Sequence, residues 1–333
     1  MIGRAVVPRL RDAGWEVRVG SRGQRPLADE LAGAEVVHVD RKEAGSLEGA
    51  LGDGVDVLVD VISMTADDAA QLLGLAGRAG SLIAISSASV YADDRGRTLD
   101  EASGPDDFPE YPLPMPETQR TVEPGADTYS TNKAAMERAL LEQDDVPATV
   151  IRPCAIHGPG DRQAREWFFV KRALDGRSHV VLAYGGASRF HTTCSANLGE
   201  LVALAAERPG TRALNCGDPD PPTVLEISRA VAQAVGHDRD EVTFEGPPED
   251  RVGSSPWAVP DRHPLVVDMA AAERELGYRP VTRYDEWVER SAEWLLATTR
   301  DRDWREALPA AARYFGELFD YEAEDAFMRR LAA

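Results

Sequence analysis

The chain has 333 residues, 57 of them acidic against 37 basic, and a formal charge of −20, which disfavours nucleic acid and anionic membrane as partners. Cys154, Cys194 and Cys216 are too few and too scattered for a disulfide framework, and the six histidines show no metal-binding spacing, so no metal is expected. No apolar run nears the roughly 20 residues of a membrane span and no signal peptide is visible, which points to a cytoplasmic protein.

The length suits one large α/β domain or two interlocked ones. In chain order, the apolar pattern predicts a helix over 2–13, strands over 16–19, 35–39 and 55–61, and a helix over 66–78. A strand over 82–86, a helix over 130–142 and a strand over 148–152 follow. Then come helices over 197–207 and 224–235, on either side of a strand over 212–216. Near-continuous apolar strands separated by helices indicate a doubly wound parallel sheet covered on both faces. From about 94 to 127 the chain is rich in Pro, Asp, Glu and Gly. That excludes a long helix or central strand and suggests a substrate-facing flap. A second Pro/Gly-rich loop spans 246–264. Trp304, Leu308, Phe315, Leu318 and Phe319 recur at helical spacing and predict a helical cap packed on the body.

Tyr129-Ser-Thr-Asn-Lys133 carries the strongest chemical signal. It sets a phenol and an ammonium on one face at the start of a helix, in a chain with only three lysines (Lys42, Lys133, Lys171). A lysine cation beside a tyrosine favours the phenolate, so Tyr129 is a candidate acid/base. The alternative is a surface tyrosine near a solvated lysine. Ser87 sits at the C-terminal end of a predicted parallel strand, where ligands bind in such sheets; Ser86 and Ser89 are its neighbours.

Several segments together resemble an extended short-chain dehydrogenase/reductase of the NAD-dependent epimerase/dehydratase type. They are Ile83-Ala-Ile-Ser-Ser-Ala-Ser-Val-Tyr91, the Tyr129/Lys133 pair and Ile151-Arg-Pro-Cys-Ala-Ile-His-Gly-Pro-Gly160. Leu214-Asn-Cys-Gly-Asp218, then Asp268 through Glu275-Leu-Gly-Tyr-Arg-Pro280 and Trp294, complete the pattern. The resemblance implies a Rossmann fold with a smaller C-terminal substrate domain. Residues 1–160, with 193–222 returning to them, would bind the dinucleotide. Residues 161–333 would mainly supply the substrate domain and helical cap. It also implies Ser-Tyr-Lys hydride-transfer chemistry on a carbonyl compound or nucleotide sugar. Tyr129 would give or take a proton, Ser87 would orient the substrate oxygen, and Lys133 would bind the nicotinamide ribose and lower the tyrosine pKa. Pro153 would lie beside the cofactor. The family often dimerises through the helix bearing Tyr and Lys, so a homodimer is possible.

The departures from that pattern matter as much. Only Gly3 matches the glycine-rich turn that cradles a pyrophosphate, and the first, central strand is absent. The expectation is a start at an internal methionine of a longer product. Ser21 and Arg22 stand where an NAD-preferring member carries an acid, which favours NADP over NAD; Asp40 matches a position near the adenine. Asp60-Val-Ile-Ser-Met-Thr65 replaces an Ala-rich segment and marks an atypical branch. Ala88 and Ser89 replace the acid pair of dehydratases, leaving epimerisation or carbonyl reduction. Arg189 would bind a substrate phosphate, and Asn197 would cap a helix. A protein that kept the fold but only binds a cofactor, or regulates, is the competing hypothesis, motivated by the missing turn.

Overall fold

The computed structural model describes all residues of the chain except Arg25 and Ser103. The chain enters helix α1 (Ile2–Asp12) at once. Val6, Val7 and Leu10 form its buried stripe, and Val6 and Leu10 pack on Leu198, Leu201 and Val202. Strands β1 (Arg18–Ser21) and β2 (Glu35–His38) follow, then α2 (Ser46–Leu51), β3 (Val55–Asp60), α3 (Ala66–Leu73) and β4 (Ala79–Ile85). Helix α4 (Tyr129–Leu141) comes next, then β5 (Ala148–Pro153), β6 (Ala155–His157), α5 (Trp167–Leu174), β7 (His179–Leu182) and β8 (Thr192–Cys194). The C-terminal part comprises α6 (Ser195–Glu207), β9 (Arg212–Cys216), α7 (Val224–Ala234), β10 (Asp240–Thr243), α8 (Ala270–Leu276) and α9 (Tyr284–Thr299). It ends in the short helices α10 (Trp304–Ala307), α11 (Pro309–Phe315) and α12 (Tyr321–Leu331).

The main sheet is four-stranded and wholly parallel, in the order β3-β4-β5-β9. Both its faces are covered. Ile83, Ile85, Ile151 and Leu214 pack on α1, α6 and α8, while Leu82, Ala84, Ala148 and Val150 pack on α2, α3 and α4. That two-sided burial is why its strands read as continuous apolar runs. Strands β1 and β2 form a separate parallel pair, and no described strand joins that pair to the four. Gly199 lets α6 approach α1 closely: a Cβ there would lie 3.0 Å from the Ala5 carbonyl oxygen.

The 94–127 stretch is a built loop. The Asp93 carboxylate accepts from the Arg95, Arg97 and Glu110 amides and from Arg97 Nε, and Met115 is fully buried against Val267. A second apolar cluster joins Trp167, Phe168 and Phe169 of α5 to α7 and α9 and to Trp304, Leu308 and Phe315.

Several boundaries differ from expectation. The first predicted strand begins two residues later, at Arg18, and the predicted 66–78 helix gives way to turns after Leu73. The short strands β6, β7, β8 and β10 are too brief to show a period. Asn197 is not a cap. Helix α6 begins at Ser195 behind an N-cap Cys194, and Asn197 lies buried inside it. Its Nδ2 donates to Asp218 Oδ1 and the Thr282 carbonyl, and its Oδ1 accepts from the Val281 and Thr282 amides.

Candidate active site

The C-terminal ends of β4 and β5 open on a cleft of about 1540 Å³. Its walls include Gly3 at the start of α1, Val61 and Ile62 after β3, Ser87 and Ser89 after β4, Tyr129 and Pro153. Ligands bind at this end of a parallel sheet because connections diverge there and leave a crevice.

Helix α4 starts where it does because Thr128 and Thr131 form a reciprocal capping box, Thr128 Oγ1 accepting from the Thr131 amide. Tyr129 is therefore the first helical residue, 43% exposed on the cleft wall. Ser87 caps the 3-10 turn Ala88–Val90: its Oγ accepts from the Ser89 amide at 3.1 Å and lies 2.9 Å from Ser89 Oγ. Burial raises the Tyr129 phenol above its usual value, and the nearby Ser87 hydroxyl works in the opposite direction. The two residues expected to act together line the same cleft.

Lys133 lies one turn deeper and is 5% exposed. Its Nζ donates to the Ser63 carbonyl at 2.5 Å and the Ile85 carbonyl at 2.9 Å, tying α4 to the ends of β3 and β4. Burial lowers its pKa to about 8 against the opposing charges of Asp60, Glu137 and Asp68. The expected depression of the tyrosine pKa by this lysine does not arise in this arrangement, because the amine is engaged by carbonyls and desolvation dominates the phenol.

The Asp60–Thr65 segment explains how Ser63 is held. Asp60 Oδ1 accepts from the Ile62 and Ser63 amides, and its Oδ2 accepts from Ser63 Oγ at 2.6 Å and from Arg41 Nη1 at 2.5 Å. Arg41 in turn binds Gln71 and the Asp68 carbonyl.

Behind the site runs a second buried network that the sequence did not expose. Glu137 lies one turn beyond Lys133 on the same helix face and pairs with Arg152 of β5 at 2.5 Å. Arg152 Nη1 donates to the Tyr91 hydroxyl, which donates to Asn215 Oδ1 at 2.6 Å; Asn215 Nδ2 donates to the Met115 and Asp268 carbonyls. Val-Tyr, Arg-Pro and Asn-x-Gly thus meet in one place, as a frame that locks α4, β5 and β9. Deeper still, Asp218 accepts from Thr192 Oγ1, the Cys194 amide and Asn197 Nδ2 and pairs with His157 at 2.8 Å. Burial opposes the charge on His157, but Asp218 outweighs it and raises the imidazole pKa.

The remaining predicted residues fall elsewhere. Ser21 ends β1, where its Oγ accepts from the Gly23 amide; Arg22 is exposed in the following turn; Asp40 accepts from the Lys42 amide. None of the three lines the cleft. Arg189 does not line the cleft either. It is exposed, within electrostatic reach of Glu226 on α7, and only its neighbour Phe190 reaches the cleft. The arginines on the cleft wall include Arg162, Arg165 and Arg251. Gly158 and Gly160 bring their loop close to two neighbours: a Cβ at Gly158 would lie 2.3 Å from Ser195 Oγ, and one at Gly160 would lie 3.2 Å from the Arg4 side chain.

A family model of the NAD dependent epimerase/dehydratase family matches residues 1–217. The chain belongs to this family. Its relatives include the chloroplast stem-loop binding protein of 41 kDa b of Arabidopsis thaliana, 25% identical, covering 80% of this chain and 69% of that protein. Among solved structures, the UDP-glucose 4-epimerase of Thermotoga maritima with UDP-glucose aligns with a TM-score of 0.66 and 18% identity, over 90% of this chain and 96% of that one. The dTDP-glucose 4,6-dehydratase of Bacillus anthracis in complex with NAD aligns with a TM-score of 0.65 and 15% identity, over 92% and 96%. Family membership makes this an NAD-dependent epimerase/dehydratase fold, with the cleft at the cofactor end of its sheet.

The residues present fit the reactive half of a nicotinamide dinucleotide. An open start of α1 at Gly3, where no atom lies within 4 Å of an added Cβ, faces the cleft that Tyr129 and Pro153 line. The adenosine-side candidates Ser21, Arg22 and Asp40 contribute nothing to that wall.

Proposed function

We propose that the protein catalyses NAD(P)-dependent epimerisation at a secondary alcohol of a nucleotide sugar, through Ser87, Tyr129 and Lys133. The observation that carries this is the placing of Ser87 and Tyr129 on one cleft wall, with Lys133 buried one helical turn below the tyrosine. Gly3 with the start of α1, Val61, Ile62 and Pro153 would hold the dinucleotide, which supplies hydride exchange at its nicotinamide C4 when bound. Tyr129 Oη takes the proton of the substrate hydroxyl as its carbon is oxidised to a carbonyl, and returns it when the carbonyl is reduced from the other face. Ser87 Oγ holds that oxygen against Tyr129. Lys133 offers its ammonium to the nicotinamide ribose. With Ala88 and Ser89 in place of acids, elimination of water has no dedicated proton donor in the turn after Ser87.

Reduction of a small carbonyl compound uses the same groups and is the second reaction to assay. A preference for NADP rests on Ser21 and the exposed Arg22 guanidinium; parallel NAD and NADP titrations decide it. The reading also takes 1–160 with 193–222 as the cofactor half, 161–333 as mainly the substrate half, a homodimer through α4, and a cytoplasmic location.

The test incubates the protein with NAD or NADP and a panel of UDP- and dTDP-sugars, and separately with NADPH and ketones. Epimer formation that falls about 10²–10⁴-fold in Tyr129→Phe supports the proposal. Cofactor binding by calorimetry with no turnover in either panel, indifferent to Tyr129→Phe, would favour a cofactor-binding or regulatory role instead.

A further inference from the structure

Three acids line the cleft among the described residues, and two of them are already engaged. Asp161 accepts from the Gln163 and Ala164 amides, and Glu317 pairs with Arg251 at 2.7 Å. Asp100 is the third. Its carboxylate is exposed, and the Arg165 charge reaches it without forming an ion pair.

The neighbours of Asp100 in the chain put it there. Leu99 packs on the cluster of Val90, Tyr91 and Met115. Glu101 Oε2 accepts from Ser130 Oγ at 3.4 Å, and Ser130 follows Tyr129 on α4. Asp93 gathers the start of the loop through the Arg95, Arg97 and Glu110 amides. Residue 100 is thus held between two anchored positions, on the loop whose composition marked it as a substrate-facing flap. The enclosing cleft raises its pKa, while the nearby Ser89 hydroxyl favours its charge. That charge in turn opposes ionisation of the Tyr129 phenol, so carboxylate and phenol share one reach of the cleft. A separate observation points to a ligand here. Ser86 Oγ lines the same cleft, 4% exposed and with no hydrogen-bond partner among the described residues. A buried hydroxyl left unpaired costs free energy until something meets it. A carboxylate can only accept, does so strongly from hydroxyl groups, and repels a second carboxylate.

We propose that Asp100 determines which sugar the cleft accepts: it binds hydroxyls of a neutral ring and turns away a ring that carries a carboxylate. This rests on the nucleotide-sugar reading above and narrows it to neutral hexoses over uronates.

Calorimetry on the full chain at pH 8, where the carboxylate is charged, tests it with UDP, UDP-glucose and UDP-glucuronate as probes. UDP-glucose binds more tightly than UDP-glucuronate by about tenfold or more. Asp100→Asn keeps the size and removes the charge, and it brings the two sugars within about threefold of each other, chiefly by tightening UDP-glucuronate. Asp100→Ala also weakens UDP-glucose toward the affinity of UDP alone. UDP itself binds both variants as it binds the wild type, and both keep the wild-type melting temperature, since Asp100 lies outside the core. The proposal is overturned if the wild type binds the two sugars equally, or if the preference survives Asp100→Asn. A wild-type preference for UDP-glucuronate also overturns it, because the ring then belongs to the cleft arginines. Each of these results leaves the epimerase reading to the turnover assay. Failure to bind any UDP-sugar overturns both. A preference set by Asp100 with no turnover leaves this assignment standing and removes the catalytic reading.

Discussion

The two sides of helix α4 treat buried polar groups in opposite ways. On the sheet side, Glu137, Arg152, Tyr91 and Asn215 bond one another within 2.5–3.1 Å. On the cleft side, Tyr129 is 43% exposed, and Ser86 Oγ and Arg165 Nε are buried with no hydrogen-bond partner among the described residues. The first arrangement makes a stiff frame, because each member is over-determined by the others. The second leaves donors and acceptors free for something that is not protein. A catalytic surface needs both: geometry set by satisfied bonds behind it, and chemistry left open in front.

The largest effect should come from breaking the frame. Arg152→Met strands the Glu137 carboxylate in the interior and should cost about 3–5 kcal/mol, measured by urea unfolding. The double variant Arg152→Met/Glu137→Met should recover much of that loss, since no charge is then left unpaired. If Arg152→Met costs no more than Arg165→Met, the contrast between the two sides of α4 is wrong.

How much of this was legible in the sequence follows from which contacts are local. Tyr129 and Lys133 could be read because helical geometry stacks i and i+4, and Ser87 because an apolar run ends just before it. The four-stranded sheet could be read from runs buried on both faces. The frame could not: Tyr91 meets Asn215 across 124 residues and Arg152 across 61, and nothing in either motif announces the partner. Arg165 was hidden among the charged residues of 161–166, and Arg189 was placed by pattern alone. The lysine's effect on the tyrosine was misjudged because spacing says nothing about the carbonyls of Ser63 and Ile85, which meet the amine first.

Lys133 sits between the two sides, and its titration measures which side it belongs to. Burial holds its folded pKa at about 8, below the ordinary 10.5. Below pH 8 the amine is charged in both states and the folded state bears the full cost. Between 8 and 10.5 the unfolded chain holds a proton that the folded chain has lost. This group therefore stabilises the fold progressively as pH rises, by about 1.4 kcal/mol per unit. Wild type minus Lys133→Met, followed by urea unfolding from pH 7 to 10.5, should climb over that window and be flat below it. A difference that does not change with pH would mean that the amine is solvated and not part of the frame.

Asp60→Asn probes the support of that lysine. It weakens the charge-assisted bonds to Arg41 and Ser63 and should cost roughly 1.5–3 kcal/mol. Because the Asp60 charge raises the Lys133 pKa, its removal should also move the alkaline limb of any pH–rate profile to lower pH. Glu137 and Asp68 still face the amine, so the shift should be partial. Loss of stability with an unmoved profile would make Asp60 part of the fold only.

The smallest effect belongs to the outer face of α4, and it tests whether burial is what separates the two regions. Arg138 follows Glu137 in the same helix and also carries two acidic partners, Glu123 at 3.6 Å and Glu142 at 3.7 Å. Its side chain is 48% exposed, and those of the glutamates are 82% and 72% exposed. Water and salt screen such pairs, and ordering three long side chains offsets most of what Coulomb attraction contributes. Arg138→Ala should therefore change stability by no more than about 0.5 kcal/mol, and the change should shrink further in high salt. Two adjacent positions, Glu137 and Arg138, would then differ several-fold in energetic weight with the same helix propensity and the same number of charges. A loss at Arg138 comparable to that at Arg152 would show that charge pairing, and not burial, holds this helix in place.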